Sequence, residues 1–248
     1  MEVKGALLAL LDIGPEHTQD YNRWYDLDHL PEHVSKADVL TARRYVAPRD
    51  LQALGGGGHE LTGGHPPYLT VYYLGVEDFT GDEAQALWTT KDRTIVKAGR
   101  YWKPGAGRFV RRWRLAECAT RPPVLVSDEA IPYLAHRGLI FAIGRAPSVE
   151  QRDDAVRWWR GTHLVDLLAV EGVQAALRFD PLAGMPDQDL LIHLVLCEDD
   201  PAVVTPRIED ALRYDTAVGR YPAFGGVYES LAFLPYRTIV PLEYDFEF

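Results

Sequence analysis

The feature that most constrains this chain is an internal repeat. The segment Arg23-Trp24-Tyr25-Asp26-Leu27-Asp28-His29-Leu30 returns without a gap 134 residues later as Arg157-Trp158-Trp159-Arg160-Gly161-Thr162-His163-Leu164. At the same offset Val39 meets Val173, Ala42 meets Ala176, Arg44 meets Arg178 and Tyr45 meets Phe179. Carried backward, Leu7 to Leu10 falls on Phe141 to Gly144, and Glu16 and Asp20 fall on Glu150 and Asp154. Tryptophan and histidine are scarce residues, so their coincidence in register points to one structural unit used twice.

Each half reads as the same run of elements. The first holds strands near 5–12, 38–47, 68–75 and 108–116, with helices near 15–28 and 82–99. The second repeats them as strands near 138–145, 172–180, 189–197 and 227–235, with helices near 148–164 and 200–219. The strands are β-branched and aromatic and end at Gly, Pro or Asp. Acidic residues follow Pro15 and Ser148, as suits a helix N-terminus. Gly99-Arg100-Tyr101 and Gly219-Arg220-Tyr221 close the second helix of each half alike. The order βαββαβ predicts an α+β fold of two tandem ferredoxin-like repeats, residues 1–116 and 138–248, joined by a linker over 117–137. Residues 49–67, with Gly55 to Gly58 in succession, form an insertion in the first half, read either as a flap over a pocket or as a plain flexible loop.

A ferredoxin-like sheet leaves one face without helices. Leu190 to Leu196 is apolar at every position but His193, so both faces of that strand are expected to be buried. The two open faces then pack together, or the sheets close into one barrel, and alternate strand residues line an inner pocket. Aligning Glu77-Asp78 with Glu198-Asp199 places Tyr72 on His193, and the face carrying both is expected to look into that pocket, since a polar group beneath a helix needs its own partner.

Composition removes several function classes. Among 248 residues, 36 acidic against 26 basic groups give a net charge of −10, which disfavours a nucleic-acid surface. No apolar run is long enough to span a membrane, and Cys118 and Cys197 are too few for a disulfide framework or a thiolate zinc cluster. No HExxH, GxSxG elbow, dinucleotide fingerprint or P-loop occurs, so metalloprotease, esterase, nicotinamide and NTPase chemistry lack their motifs. The expectation is a cytoplasmic protein with no metal and no cofactor, no nucleic-acid or membrane partner, a small-molecule substrate, and association into a homodimer.

The helix Trp24-Tyr25-Asp26-Leu27-Asp28-His29-Leu30-Pro31-Glu32-His33, followed by a strand bearing Arg43-Arg44-Tyr45, resembles the dimeric α+β barrel superfamily, and within it the EthD-like branch. The second half departs from the pattern, with Val165 at the place of Pro31 and Leu167 at that of His33. The resemblance implies the barrel fold, and a family of cofactor-free cyclases, isomerases, dehydratases and small oxygenases, with haem enzymes more remote. It also implies a histidine at position 29 projecting to the pocket as acid/base, against which stands a histidine that caps the helix end.

A neutral imidazole exchanges a proton near pH 7, and neighbouring carboxylates tune it. His29 is therefore the leading catalytic candidate, with Asp26, Asp28 or Glu32 orienting it. Pro31 is expected to end the helix, and His163 to hold the equivalent place in the second half as a substrate-binding residue, with at most one of the two histidines active and His29 favoured for its more acidic, histidine-rich surroundings. Tyr72 and His193 are candidates for steadying an enolate oxygen, or else are core residues. Trp24, Tyr25 and Trp159 are read as core or pocket wall, and Arg44 and Arg178 as ion-pair partners or binders of an acidic group. The expected function is cyclisation, dehydration or isomerisation of a small apolar or aromatic, polyketide-like carbonyl compound. A non-catalytic binding barrel and a haem oxidase or peroxidase are the alternatives.

Overall fold

The computed structural model describes residues 2–35, 38–76, 95–123, 126–221 and 226–248. Its strands are β1 (Gly5–Asp12), β2 (Val39–Val46), β3 (Gly56–Gly57), β4 (Tyr68–Leu74), β5 (Ala106–Thr120), β6 (Gly138–Arg145), β7 (Val173–Pro181), β8 (Leu190–Cys197) and β9 (Glu229–Thr238). All pair in one sheet of order β2-β4-β1-β5-β7-β8-β6-β9-β3, and Tyr45 and Val46 of β2 pair with β9. That last contact closes the sheet into an antiparallel barrel of eight strands, with β3 as an appendage on β9. β5 reaches Thr120, beyond the boundary expected at 116. The helix expected over 82–99 falls mostly outside the described residues.

The two halves repeat one another in strand order, β2-β4-β1-β5 and β7-β8-β6-β9. They also repeat in their irregularities. A bulge on β5 at Arg108 faces Leu10 and Leu11 of β1, and one on β9 at Leu231 faces Ile143 and Gly144 of β6. Another interrupts β2 between Val39 and Thr41 and β7 between Val173 and Ala175. A bulge re-aims every later side chain on its strand, so matching positions preserve the same inward and outward residues in both halves.

The barrel is filled. Residues of all eight strands form one buried cluster, including Leu8, Tyr45, Val71, Phe109, Trp113, Phe141, Leu177, Ile192, Leu194, Leu234 and Tyr236. An eight-stranded barrel is just wide enough for its own side chains, and here the bulky aromatic residues occupy that width. The expected inner pocket is thus a packed core. Tyr72 and His193 belong to the opposite, helix-covered face of their strands, packed in separate groups with the helices of their own halves. The polar-face expectation fails because these polar rings are accommodated by aromatic stacking beneath helices.

Helix α1 (Thr18–Trp24) runs through a π-helical segment, Tyr25–His29, into α2 (Leu30–Val34). Pro31 does not end the helix. The Leu30 N–H has already moved to the Tyr25 carbonyl, five residues back, so the ladder is re-phased just before the residue that lacks a donor. Short α3 (Arg49–Leu54) and α4 (His59–Thr62) flank β3 in the glycine-rich insertion. That insertion is neither a free loop nor a flap, for Gly56 and Gly57 pair with Phe233 and Ala232 of β9. Gly57 has φ 75°, and a Cβ there would collide with the Leu231 carbonyl, so glycine is required. The second half carries α5 (Arg152–Trp158), a second π segment at Trp159–His163, α6 (Leu164–Ala169) and α7 (Pro201–Ala217). Asp200 caps α7, accepting the Ala202 N–H at 2.9 Å.

Candidate functional site

Both π segments end on a histidine, His29 and His163. A π turn widens the helix by one residue and shifts the following side chains around the axis. In the first half this brings His29 beside Trp24 and Tyr25, with ring centroids 4.6 and 4.7 Å apart, and over His33 at 4.1 Å. Trp24, Tyr25 and His29, but not His33, border a cavity of about 140 Å³ whose walls also include Leu11, Tyr21, Trp102 and Lys103, with Gly105 to Gly107 at the start of β5. The cavity lies between the helix and the outer face of the sheet.

Beneath it the polar groups are tied to one another. Tyr25 and Tyr72 share a hydrogen bond of 2.6 Å between their hydroxyls. Burial raises the pKa of both above the usual tyrosine value, Tyr72 by more, so both stay protonated at neutral pH. Tyr72 is therefore a buried support for Tyr25 and does not line the cavity itself. Arg44, which pairs with Thr70 across the strands, donates to Asp26 at 2.6 Å and to Asn22 at 2.5 Å, with its guanidinium 4.1 Å from the centre of the Tyr25 ring. The other Asp26 oxygen accepts from the Tyr244 hydroxyl at 2.5 Å. With both oxygens so engaged, Asp26 serves Arg44. Asp28 is held in a fork by Arg100, at 2.8 and 2.9 Å, and Glu32 joins the same guanidinium at 2.9 Å. The expected carboxylates thus fasten the helix to its surroundings.

Arg100 is also part of a strap that the repeat pattern announced. The Trp24 indole N–H donates to the Arg100 carbonyl at 2.7 Å, and the Trp158 indole to the Arg220 carbonyl at 3.5 Å. Arg220 in turn grips Asp166, at the position that matches Glu32. The second Gly-Arg-Tyr turn lays Tyr221 over Trp158 and His163, at 4.8 and 5.6 Å, and the first puts Tyr101 at the edge of the cavity. Trp102 and Lys103, next along the first strap, were not singled out from sequence. The Gly-Arg-Tyr repeat was the signal that pointed there.

The second half differs in its interior chemistry. Arg178 pairs with His193 as Arg44 pairs with Thr70, so His193 answers to Thr70, and the expected equivalence with Tyr72 is displaced by two residues. His193 lies flat against Trp159, 4.8 Å between centroids and 7° between planes. Arg178 is held by Asp180 and Glu117 in a buried ion cluster with Arg152. His193 and Tyr72 thus sit in different halves and do not converge on one ligand. His163 is partly buried, stacked on Trp158, and desolvation lowers its pKa to about 4, keeping it neutral. Among the described residues no group of three or more His, Cys, Asp or Glu could hold a metal ion, and no helix is long and apolar enough to cross a membrane.

No protein-family model matches the chain, and no curated protein is significantly similar. Solved structures do match, over nearly the whole length. A candidate chlorite dismutase, TA0507, superposes with a TM-score of 0.56 at 10% identity, covering 97% of this chain and 96% of its own. A candidate dyp-type peroxidase from Shewanella oneidensis gives 0.50 at 5% identity, with 96% and 94% covered. An anthrone oxidase-like protein gives 0.49 at 15% identity, with 98% and 95% covered. Such low identity speaks to fold alone. In fold, the chain is an α+β barrel of the dimeric α+β barrel type.

Proposed function

We propose that the first half houses the active site of an enzyme that moves a proton next to a carbonyl on a single-ring aromatic or similarly small apolar compound, without a cofactor. The observation that carries this reading is His29 in the wall of an aromatic cavity of about 140 Å³. An apolar cavity of about 150 Å³ holds a benzene ring, so the volume favours one ring over a fused polyketide.

In this mechanism His29 takes a proton from the carbon beside the carbonyl, and the electron pair moves onto the oxygen as an enolate. Tyr25, with its hydroxyl backed by Tyr72, donates to that oxygen. His29 then returns the proton at another carbon or to a departing hydroxyl, which gives isomerisation or dehydration. Trp24, Tyr21 and Trp102 exclude water and stack on the ring. A haem does not fit this cavity, which is below the roughly 300 Å³ at which sites for drug-sized ligands begin. We further read the halves as tandem copies of one ferredoxin-like, EthD-like unit, supported by matching strand orders, bulges and π segments.

The test is a panel of single-ring carbonyl compounds assayed with wild-type protein, His29→Gln and His29→Ala. Turnover that falls at least about 100-fold in both folded variants, within the range for general acid–base catalysis, supports the assignment. Unchanged turnover refutes it, and tight binding without turnover in the wild type favours a carrier protein.

A further inference from the structure

The cavity under the first helix is walled by aromatic and aliphatic groups, His29 and a single permanent charge, the ammonium of Lys103. None of the described residues that line it is Asp or Glu. The arginines close by already carry partners: Arg44 holds Asp26, Arg100 holds Asp28 and Glu32, and Arg108 holds Asp12. Lys103 is exposed and has no ion-pair partner among the described residues.

The chain is fixed on both sides of this lysine. Trp102 packs on Tyr21 and Trp24, with ring centroids 5.8 and 5.9 Å apart. Pro104 follows and biases Lys103 to extended backbone. Gly105 has φ 110°, and a Cβ there would run into the Ile13 side chain and the Asp12 carbonyl, so only glycine lets the segment press on the end of β1. The backbone is thereby held at the cavity, while the flexible four-carbon stem aims the charge. The repeat supplies a contrast. After the shared Gly-Arg-Tyr, the first half continues Trp102-Lys103-Pro104-Gly105 and the second Pro222-Ala223-Phe224-Gly225, so the lysine occurs only in the half whose cavity His29 borders.

In a chain of net charge −10, an unpaired cation at an aromatic wall is a place where an anion gains and a neutral molecule does not. The volume of about 140 Å³ admits one ring. A single ammonium balances the single charge of a carboxylate, whereas a phosphate, with a charge of about −2, leaves one charge uncompensated. We propose that Lys103 selects the substrate by charge, so that the compound taken up is a single-ring aromatic acid, its ring against Trp24 and Trp102 and its carboxylate paired with the ammonium. This rests on the reading of the cavity as the substrate site, and not on the proton transfer assigned to His29.

Benzoate and benzamide share one shape, differ in charge and carry no proton on the carbon beside the carbonyl, so they report binding apart from turnover. Their affinities for the full-length chain are measured by calorimetry in wild type, Lys103→Met and Lys103→Arg. Wild type is expected to prefer benzoate at least about 5-fold, the size of an exposed ion pair, with the preference shrinking as salt rises. Lys103→Met is expected to abolish the preference and Lys103→Arg to keep it, while benzamide binds all three proteins alike. Equal affinities in wild type, a preference that survives Lys103→Met, or no binding of benzoate at millimolar concentration overturns the proposal. The two readings fail separately. A benzoate preference that depends on Lys103, in protein that turns over no carbonyl compound, refutes the reaction and upholds the charge selection. Turnover that His29→Gln abolishes, in protein without a benzoate preference, does the reverse.

Discussion

Three imidazoles that the fold keeps neutral set the acid limit of this protein. Burial lowers the pKa of His65, His136 and His163 to about 4 each from an ordinary 6.5. Arg43, beside the His136 ring, adds to the effect there. Because the folded value lies below the unfolded one, the unfolded chain binds the proton first. Stability is then whole above pH 6.5, falls as pH drops from 6.5 to 4, and levels below that. Each group contributes about 1.4 kcal/mol per pH unit inside the window, or about 2 kcal/mol between pH 6.5 and 5. Three together approach about 6 kcal/mol, comparable with the roughly 5–15 kcal/mol of a whole domain. Urea unfolding at pH 7 and pH 5 measures this directly. His163→Leu is expected to lose about 2 kcal/mol less than wild type between those two pH values, whatever its stability at pH 7. Equal losses in the two proteins would refute the assignment of His163 as a desolvated neutral ring.

Asp26→Ala leaves the Arg44 guanidinium buried without its carboxylate, and is expected to cost about 3–5 kcal/mol in urea unfolding. Asp28→Ala breaks a half-exposed pair with Arg100 and is expected to cost no more than about 1 kcal/mol by the same measurement. Gly144→Ala puts a Cβ into the Tyr228 ring and is expected to lower stability by about 1–3 kcal/mol or more, a cost that largely disappears when the same change is made in a Tyr228→Ala background.

Strand positions were legible because β-branched and aromatic runs end cleanly at Gly, Pro and Asp. β1 and β6 match their expected limits at both ends. Which face points inward was not legible. Leu190 to Leu196 has no polar alternation, since one face fills the barrel and the other meets the helices. The same uniformity hid a slip of one residue. Gly5–Asp12 lies in the sheet as Gly138–Arg145 does, with Leu8 and Phe141 both inward, whereas the offset fixed by the helix motif sets Leu7 on Phe141. One extra residue between strand and helix in the second half accounts for it.

The site was half legible. The Trp–His spacing located His29 and His163, but sequence neighbours proved poor guides to spatial partners. Asp26 and Asp28 are close to His29 along the chain, yet each is claimed by an arginine from a distant element. The continuation of the helix through Pro31 depends on a π turn that no residue pattern declared. Lys103 and Trp102 reach the cavity only because the Trp24 indole holds the Arg100 carbonyl, a tertiary contact.

The account rests on where a ligand sits: outside the barrel, under the first helix. A crystal structure of the protein soaked with a single-ring aromatic ketone tests it most directly. Ligand density between Trp24, His29 and Trp102 is the predicted result. Density inside the barrel, among Phe109, Phe141 and Tyr236, would contradict both the packed core and the site built upon it.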